Sequence, residues 1–309
     1  MSIPGLGQIA PQAVAASTTR TITLQPLWEW RFEVPRRWTS GIAVRLVSGS
    51  AERDGTALAL NKTYTFVSTK SKLLTWHGCT LEVEGTCVDR VAEYPHPEAS
   101  PMVSYLNLHM ALKDLRRAAA NATGGRGGAY QHQHQQQLGP RVVVCGPRNS
   151  GKTSLARTLT AWAARMGHQP LVANVDPEEG VLSLPGTISA AVFGNVMDIE
   201  DPAGGFGVRS TPSSGPSAVP VKLPMVYYFG REKAQDDVPL WKDLTRKLAG
   251  SVRAKLNEVD QVKTTGLIID TPAVGTDQDG IDMLVHVVTE FDGRSNRGAS
   301  SCGEERQRG

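Results

Sequence analysis

The residues with the clearest chemical potential lie between positions 146 and 153, where Gly-Pro-Arg-Asn-Ser-Gly-Lys-Thr has the spacing G-x-x-x-x-G-K-T. Gly146 and Gly151 allow the backbone to curl so that successive N–H groups point at a phosphate, and a following helix adds its positive dipole end. Lys152 would reach the β- and γ-phosphates, and the Thr153 hydroxyl would ligate Mg²⁺. An apolar strand precedes the loop and an amphipathic helix follows it, so the pattern predicts a nucleotide-binding P-loop.

Two aspartates at predicted strand ends are candidate partners for the metal. Asp270 follows the apolar run GLII and is the better candidate for the carboxylate that holds the metal or its waters. Asp176, in LVANVDPEEG, is placed to orient a hydroxyl nucleophile or Mg²⁺. Either side chain could instead cap a turn, because Asp-Pro favours turns. The candidate metal ligands are therefore Thr153, Asp176 and Asp270, and the candidate catalytic residues, should the phosphate be transferred, are Lys152 and Asp176.

The elements that must position these residues alternate between strand and helix. RVVVCG, PLVANVD and GLIID are predicted strands, and the helices between them imply a parallel sheet flanked by helices. Three evident strands would leave an edge bare, so we expect the sheet to be incomplete. The last predicted helix, GIDMLVHVVTEF, is expected to bury Ile281, Leu284, Val285 and Val288. The guanine-specific pattern N-K-x-D is absent from this region, which favours ATP as the nucleotide.

The rest of the chain divides by composition. Short alternating β runs precede residue 94 and predict a small sandwich or barrel, in which Ile42, Val44 and Leu46 share a face. His132 and His134 could bind a metal, but the Gly/Gln-rich surroundings favour a flexible insert. The expected organisation is a disordered leader (1–20), a β-rich domain (21–100), a linker helix (101–120), a Gly/Gln/His-rich insert (121–140), a P-loop domain (141–292) and a polar tail (293–309).

Composition narrows the protein class without fixing the partner. The 309 residues are enough for two domains, and no run approaches the ~20 apolar residues of a membrane span. The four cysteines form no C-x-x-C pair, which is typical of reduced thiols in an intracellular protein. A net charge of +3 neither demands nor excludes nucleic acid.

Seven ordered stretches resemble a known family. From Glu29 to about Phe291 the chain is similar to the fungal pre-mRNA cleavage and polyadenylation factors that are related to polynucleotide 5′-hydroxyl kinases. The stretches that carry the resemblance are EWRFEV, LTWHGCTLEVEG, YLNLHMALKDLR, GPRNSGKTSLARTL, PLVANVDPEEGVLSLPGTISA, PMVYYFG and LIIDTP. The family would continue into another buried strand where this chain has a polar tail, so we expect a C-terminally truncated sequence.

This resemblance implies a fold, a ligand and a setting. The fold would be an N-terminal β-sandwich on a P-loop domain, and the ligand would be ATP with Mg²⁺. Glu29 would accept a hydrogen bond from adenine, Lys70 would lie beside the nucleotide, and the phosphates would be held by the P-loop residues Asn149, Ser150, Gly151, Lys152, Thr153 and Ser154. The setting would be the nucleus, in a complex with other cleavage-factor subunits, with RNA contacted directly or through those partners.

Three departures from kinase-active relatives bear on whether phosphate is transferred. Those relatives carry an aspartate at the position of Asn149, whose neutral amide cannot act as a carboxylate. They carry a tryptophan in a T-C-G-W run where this chain has DTPAVG, so no aromatic ring would stack on a nucleotide substrate there. Their arginine-bearing lid lies C-terminal to this sequence. We therefore expect an ATP-binding, non-catalytic subunit of the 3′-end machinery, with a polynucleotide 5′-hydroxyl kinase as the alternative.

Overall fold

The computed structural model describes residues 19–38, 40–124, 138–194, 197–200 and 224–292. Most of the predicted leader, the central part of the Gln-rich insert with His132 and His134, and the predicted polar tail lie outside these residues. Contacts divide the chain into a first unit, Met1–Ala51 with Leu58–Glu93, and a second unit, Glu52–Ala57 with Tyr94–Gly309. The predicted domain limits remain a prediction, and each unit is described separately below.

Among the described residues, nine strands precede the first long helix, and a mixture of strands and helices follows it. The strands before the helix are β1 (Thr19–Leu24), β2 (Glu29–Glu33), β3 (Ile42–Gly49), β4 (Glu52–Arg53), β5 (Thr56–Ala57), β6 (Thr63–Phe66), β7 (Lys70–Leu74), β8 (Cys79–Glu84) and β9 (Val88–Ala92). The later elements are α1 (Pro101–Gly124), β10 (Arg141–Val144), α2 (Lys152–Arg165), β11 (Leu171–Asn174), β12 (Thr187–Val192), β13 (Met225–Tyr228), α3 (Val238–Glu258), α4 (Asp260–Thr265), β14 (Leu267–Asp270) and α5 (Gln278–Asp292). Helix α1 covers the predicted linker helix and continues four residues further.

The first unit is a β-sandwich. One antiparallel sheet has the order β1-β8-β3-β6, and a second antiparallel group pairs β2 with both β7 and β9. The predicted inward face of β3 is confirmed, because Ile42, Val44 and Leu46 are all buried. Phe32 of one sheet lies 5.1 Å from Phe66 of the other, measured between ring centroids, so aromatic packing joins the two layers.

The second unit contains a five-stranded mixed sheet of order β10-β14-β11-β12-β13. Strands β10, β14 and β11 are parallel, whereas β12 and β13 are antiparallel to their neighbours. The predicted fold class, a β-sandwich followed by a P-loop domain with parallel strands flanked by helices, is confirmed. The expectation of a sheet parallel throughout is wrong for β12 and β13, whose short runs TISAAV and MVYY the sequence did not reveal as strands.

Helices cover both faces of this sheet. Residues of α3, α4 and α5 pack with Leu171, Ile188 and Ile269 in one apolar core, and residues of α1 and α2 pack with Val172 and Ile268 in the other. The buried face of α5 differs from the predicted one. Met283, Val287 and Phe291 point inward, whereas Ile281, Val285 and Val288 are exposed and Leu284 is half-buried. None of the helices in the described part of the chain has the length and apolarity needed to cross a bilayer.

Candidate nucleotide-binding site

The predicted P-loop connects the end of β10 to the start of α2. Gly151 caps α2 in the left-handed region with φ of 86°, a conformation that costs a residue with a Cβ about 1–2 kcal/mol. A Cβ added there would meet no atom within 4 Å, so the space next to the loop is open. At Gly146 an added Cβ would lie 2.9 Å from Ser150 Oγ, so a larger residue there would displace the serine hydroxyl.

Most side chains of the loop are exposed, and Lys152 folds back onto the loop. Lys152 Nζ donates to the Pro147 carbonyl oxygen at 3.2 Å, so the ammonium lies over its own loop. Asn149 is exposed and has a φ of 61°, a left-handed conformation that asparagine tolerates better than most residues. Ser150 is exposed and Ser154 is half-buried in the first turn of α2. The neutral carbonyl that Lys152 contacts is a partner that a phosphate oxygen can replace.

Thr153 and Asp270 are brought together beneath the loop. Thr153 Oγ1 donates to Asp270 Oδ2 at 2.6 Å, and Asp270 ends β14 directly opposite Val144 of β10. The other carboxylate oxygen, Oδ1, is buried and has no hydrogen-bond partner among the described residues. Burial raises the pKa of Asp270 to about 7, with a smaller upward contribution from Glu179. This carboxylate therefore occupies a position that favours an added cation.

Asp176 lies at the same edge of the sheet, two residues beyond the end of β11. Its Oδ1 accepts from the Glu178 backbone N–H at 3.0 Å, as in an aspartate turn. Its own backbone N–H donates to Asn174 Oδ1 at 2.8 Å. Burial raises the pKa of Asp176 to about 6, and the nearby carboxylates of Glu178 and Glu179 add to the effect. Asp176 and Asp270 are thus two buried acids whose ionised forms are disfavoured.

These residues fit ATP and Mg²⁺ on the evidence of their own geometry. No group of three or more His, Cys, Asp or Glu side chains within the described ranges could hold a metal by itself. Mg²⁺ usually takes one or two carboxylates and completes its shell with water and phosphate oxygens, so a sparse protein contribution is expected. The unpartnered Asp270 Oδ1, the adjacent Thr153 hydroxyl and the open space at Gly151 meet that requirement.

Two further contacts of the site were missed by the sequence analysis. Arg148, inside the P-loop, forms an exposed ion pair with Glu178 in the loop that carries Asp176. In the β4–β5 hairpin, Asp54 Oδ2 lies 2.8 Å from Nη1 of Arg157 on α2, and both side chains are largely buried. This ion pair connects the hairpin to the helix that starts at Lys152. Pairing between such distant positions leaves no periodic signal in a single sequence.

Glu29 and Lys70, the predicted adenine-side residues, belong to the first unit. Glu29 is fully buried; Lys72 Nζ donates to its Oε1 at 2.8 Å and Arg31 Nη2 to its Oε2 at 2.7 Å. Burial by itself would raise the pKa of Glu29, but Lys72 and Arg31 outweigh it and hold the pKa below its ordinary value. Lys70 is exposed at the start of β7. The nucleotide-binding roles of both residues stay predictions.

Comparisons with known proteins identify relatives of both units. The family model for the N-terminal β-sandwich domain of polyadenylation factor matches residues 23–119, and the model for the P-loop of mRNA cleavage and polyadenylation factor CLP1 matches residues 146–293. The chain is 58% identical to the mRNA cleavage and polyadenylation factor CLP1 of Chaetomium globosum, over 95% of this chain and 63% of the relative. Identity to the Neurospora crassa protein of the same name is 52%, over 94% and 64%. The chain therefore spans slightly less than two thirds of these relatives.

Solved structures give the same assignment. A chain of the wild-type Clp1p–Pcf11p complex matches with a TM-score of 0.73 and 26% identity, covering 89% of this chain and 59% of that chain. A second structure, with the same TM-score and identity, concerns an extended interface between Pcf11p and Clp1p and the structural basis for ATP loss in a glycine-to-arginine point mutant.

Proposed function

Because this chain belongs to the family of mRNA cleavage and polyadenylation factors, we propose that it binds ATP with Mg²⁺ and acts as a non-catalytic subunit of the pre-mRNA 3′-end machinery. The observation that carries the proposal is the arrangement beneath the P-loop. Thr153 there donates to Asp270, whose second oxygen is buried without a partner. A carboxylate in that state is suited to a cation that arrives with a nucleotide.

Each residue of the loop then has a defined task. Gly151 gives the backbone conformation that exposes the amide groups at the start of α2, and Lys152 exchanges the Pro147 carbonyl for phosphate oxygens. Thr153 and Asp270 hold the metal or its waters. When bound, Mg²⁺ neutralises charge on the phosphates.

The absence of transfer is proposed from the residues that would have to act on a substrate. Asn149 offers an exposed neutral amide where a carboxylate is needed, and the residues after Asp270 are Thr, Pro, Ala and Val with no aromatic ring. Bound ATP would then act as a structural ligand that stabilises the folded chain by mass action.

The partners and the location follow from the same family membership. The similar solved structures pair Clp1p with Pcf11p, which supports a role for this chain in binding other cleavage-factor subunits. RNA would be contacted directly or through those subunits. A subunit that acts on pre-mRNA 3′ ends would act in the nucleus.

One observation favours the alternative, a polynucleotide 5′-hydroxyl kinase. Asp176 is buried at the edge of the sheet that carries the P-loop, and its pKa of about 6 is close to that of an effective general base at neutral pH. In that role Asp176 would orient an RNA 5′-hydroxyl while Lys152 stabilises the transferred phosphoryl group.

Binding is tested by equilibrium dialysis with labelled ATP. We expect Lys152→Ala to lose ATP binding, because Lys152 is the P-loop cation that counters the β- and γ-phosphates, and Thr153→Ala to weaken Mg²⁺-dependent binding less severely. Lys247→Ala is a matched control, since Lys247 forms an exposed ion pair with Asp243 on α3. Unchanged ATP retention by Lys152→Ala would remove the P-loop assignment.

Transfer is tested with γ-labelled ATP and a 5′-hydroxyl RNA. We expect no multiple-turnover labelling of the RNA by this chain or by a version extended with a relative's C-terminal region. Labelling over many turnovers by the extended protein, abolished by Lys152→Ala, would replace the subunit proposal with the kinase.

A further inference from the structure

A row of three buried polar side chains crosses the sheet under the P-loop. Asn174, the last residue of β11, is opposite Asp270 of β14 on one side and opposite Ser189 of β12 on the other. Residues in register on neighbouring strands point to the same face of a sheet. All three side chains are at least 99% buried. The row therefore begins at the carboxylate that Thr153 contacts and runs into the interior of the unit.

Each member of this row has a polar atom without a hydrogen-bond partner in the described part of the chain. These atoms are Asn174 Nδ2, Asp270 Oδ1 and Ser189 Oγ. Buried polar groups are nearly always paired, because leaving one unpaired costs stability. Three neighbouring exceptions on one face of one sheet call for a shared explanation. Asn174 Nδ2 is a donor that lacks an acceptor, and Asp270 Oδ1, on the adjacent strand, is an acceptor that lacks a donor.

The other end of the Asn174 amide is already engaged. Its Oδ1 accepts from the backbone N–H of Asp176 at 2.8 Å, which fixes the start of the turn that carries Asp176. The amide of Asn174 thus contacts the backbone of Asp176 and belongs to a residue that lies opposite Asp270. No motif marks Asn174 in the sequence, because its setting depends on the residues that the neighbouring strands place beside it.

We propose that Asn174 is a positioning residue for the metal–nucleotide complex, a role that rests on the proposed binding of ATP with Mg²⁺. In this role Asn174 Nδ2 donates to Asp270 Oδ1, directly or through one ordered water, and Asn174 Oδ1 keeps its bond to Asp176. The amide fixes the ionised Asp270 carboxylate relative to Asp176 and to the Thr153 hydroxyl. Groups that orient a metal's ligands in this way typically account for about 10–100-fold in metal affinity.

Ser189 provides the matched control, because it lies opposite Asn174 on the other neighbouring strand and its hydroxyl also lacks a hydrogen-bond partner among the described residues. If the donor serves Asp270, removal of the serine hydroxyl changes packing and stability but leaves the metal site intact. If the donor serves Ser189, the row is an internal polar contact without a link to the metal. Asn174→Ala and Ser189→Ala each delete one buried polar side chain from the same row, so they separate these two cases.

The test measures the dissociation constant of ATP for the full chain in saturating Mg²⁺ and again in EDTA, and compares the ratio between variants. We expect Asn174→Ala to reduce the Mg²⁺ enhancement about 10–100-fold with little change in EDTA, and Ser189→Ala to leave the enhancement unchanged. Mn²⁺ in place of Mg²⁺ adds a second readout, since the electron paramagnetic resonance spectrum of the bound ion should change in Asn174→Ala alone. A purely structural residue would shift the unfolding midpoint without moving either readout.

The outcomes separate this inference from the proposed function. Full Mg²⁺ enhancement in Asn174→Ala, or an equal loss in Ser189→Ala, overturns the positioning role while ATP binding stands. Failure of the unmutated chain to bind ATP overturns both. Should Asn174→Ala not fold, Asn174→Leu keeps a side chain of similar size and removes the amide without adding a charge. The same loss is expected for that variant, and an undiminished Mg²⁺ enhancement would contradict the proposal.

Discussion

Two buried carboxylates, one in each unit, are held in opposite ways. Glu29 of the β-sandwich is fully buried, and each of its oxygens accepts from a cationic side chain, Lys72 on one side and Arg31 on the other. Asp270 of the P-loop unit is 1% exposed, and its described hydrogen-bond partner is the neutral Thr153 hydroxyl. The pKa of Glu29 lies below its ordinary value, whereas burial raises that of Asp270 to about 7.

The difference indicates what each carboxylate is for. A buried acid that carries its own cations is electrostatically complete, and its burial is compatible with a purely structural role. A buried acid without a cation is destabilising when ionised, so it persists where an external cation supplies the missing charge. The charge of Glu29 is therefore balanced within the first unit, whereas we expect that of Asp270 to be balanced by a bound cation.

The largest effect is expected when the negative charge of Asp270 is removed. We expect Asp270→Asn to reduce the Mg²⁺-dependent part of ATP affinity by about 100-fold, because the substitution removes the charge that holds the metal or its waters. Equilibrium dialysis in Mg²⁺ and in EDTA measures the effect. Asp243→Asn, on the exposed surface of α3, is the control and should leave both constants unchanged.

The same substitution should stabilise the nucleotide-free protein. Because the folded pKa of Asp270, about 7, is raised above its ordinary value of 3.8, the folded state binds the proton more tightly, and the unfolding free energy falls as pH rises between these values. Asp270→Asn removes that loss, so its unfolding free energy should exceed that of the unmutated chain by roughly 4 kcal/mol above pH 7 and approach it near pH 4. Lower stability than the unmutated chain at pH 8 would contradict the assignment of Asp270 as an unpaired acid.

Removing the charge of Glu29 should have the opposite effect, a loss of stability. Glu29→Gln removes the negative charge to which Lys72 and Arg31 donate, and we expect the unfolding free energy at neutral pH to fall by about 1–3 kcal/mol. Because the folded pKa of Glu29 is lowered, its contribution is present above the ordinary value of 4.5 and is lost as pH falls through the folded pKa. Urea titrations at several pH values measure it. Glu82→Gln, which breaks a partly exposed pair with Arg45, should cost less than about 1 kcal/mol.

A second prediction for Glu29 concerns the preference for ATP over GTP. If its carboxylate accepts from the adenine amino group as predicted, Glu29→Ala should lower the affinity for ATP relative to GTP by about 1–3 kcal/mol. Dialysis with the two labelled nucleotides gives the ratio. A ratio that does not move would restrict Glu29 to its structural pairs with Lys72 and Arg31.

The smallest effect is expected at the rim of the site. Arg148 pairs with Glu178, but 61% of the Arg148 side chain is exposed, so water screens the pair. Arg148→Ala should change the unfolding free energy by less than about 1 kcal/mol and the ATP dissociation constant by less than about fivefold. An affinity loss as large as that of Lys152→Ala would instead place Arg148 among the phosphate-binding side chains.

The features that could be predicted from the sequence depend on short-range patterns. The P-loop depends on residues within one turn and its flanks, and the alternation of Ile42, Val44 and Leu46 has a period that only a half-buried strand explains. The face of α5 could not be chosen in this way. Apolar residues surround most of that helix, so periodicity allowed Ile281 to be buried, whereas the sheet contacts selected Met283 and Val287.

The sequence could not predict the features that depend on contacts between separate elements. Strand β12 is rich in small residues and gains its place through antiparallel pairing with β11, which no local pattern reports. The two cations of Glu29 come from positions 2 and 43 residues away. At the site, the positions of Thr153 and Asp270 were predicted separately, but their contact, and the unpaired Asp270 oxygen, required the fold.

If the buried acids of the P-loop unit are ionised when a cation binds, nucleotide binding should release protons, and the number released can be measured. Preformed Mg²⁺–ATP is titrated into the protein by calorimetry in two buffers of different ionisation enthalpy, first at about pH 6.5 and then at about pH 8.5. With pKa values of about 7 for Asp270 and about 6 for Asp176, we expect release of roughly one proton per bound nucleotide at the lower pH and almost none at the higher. Binding without proton release at pH 6.5 would contradict this expectation.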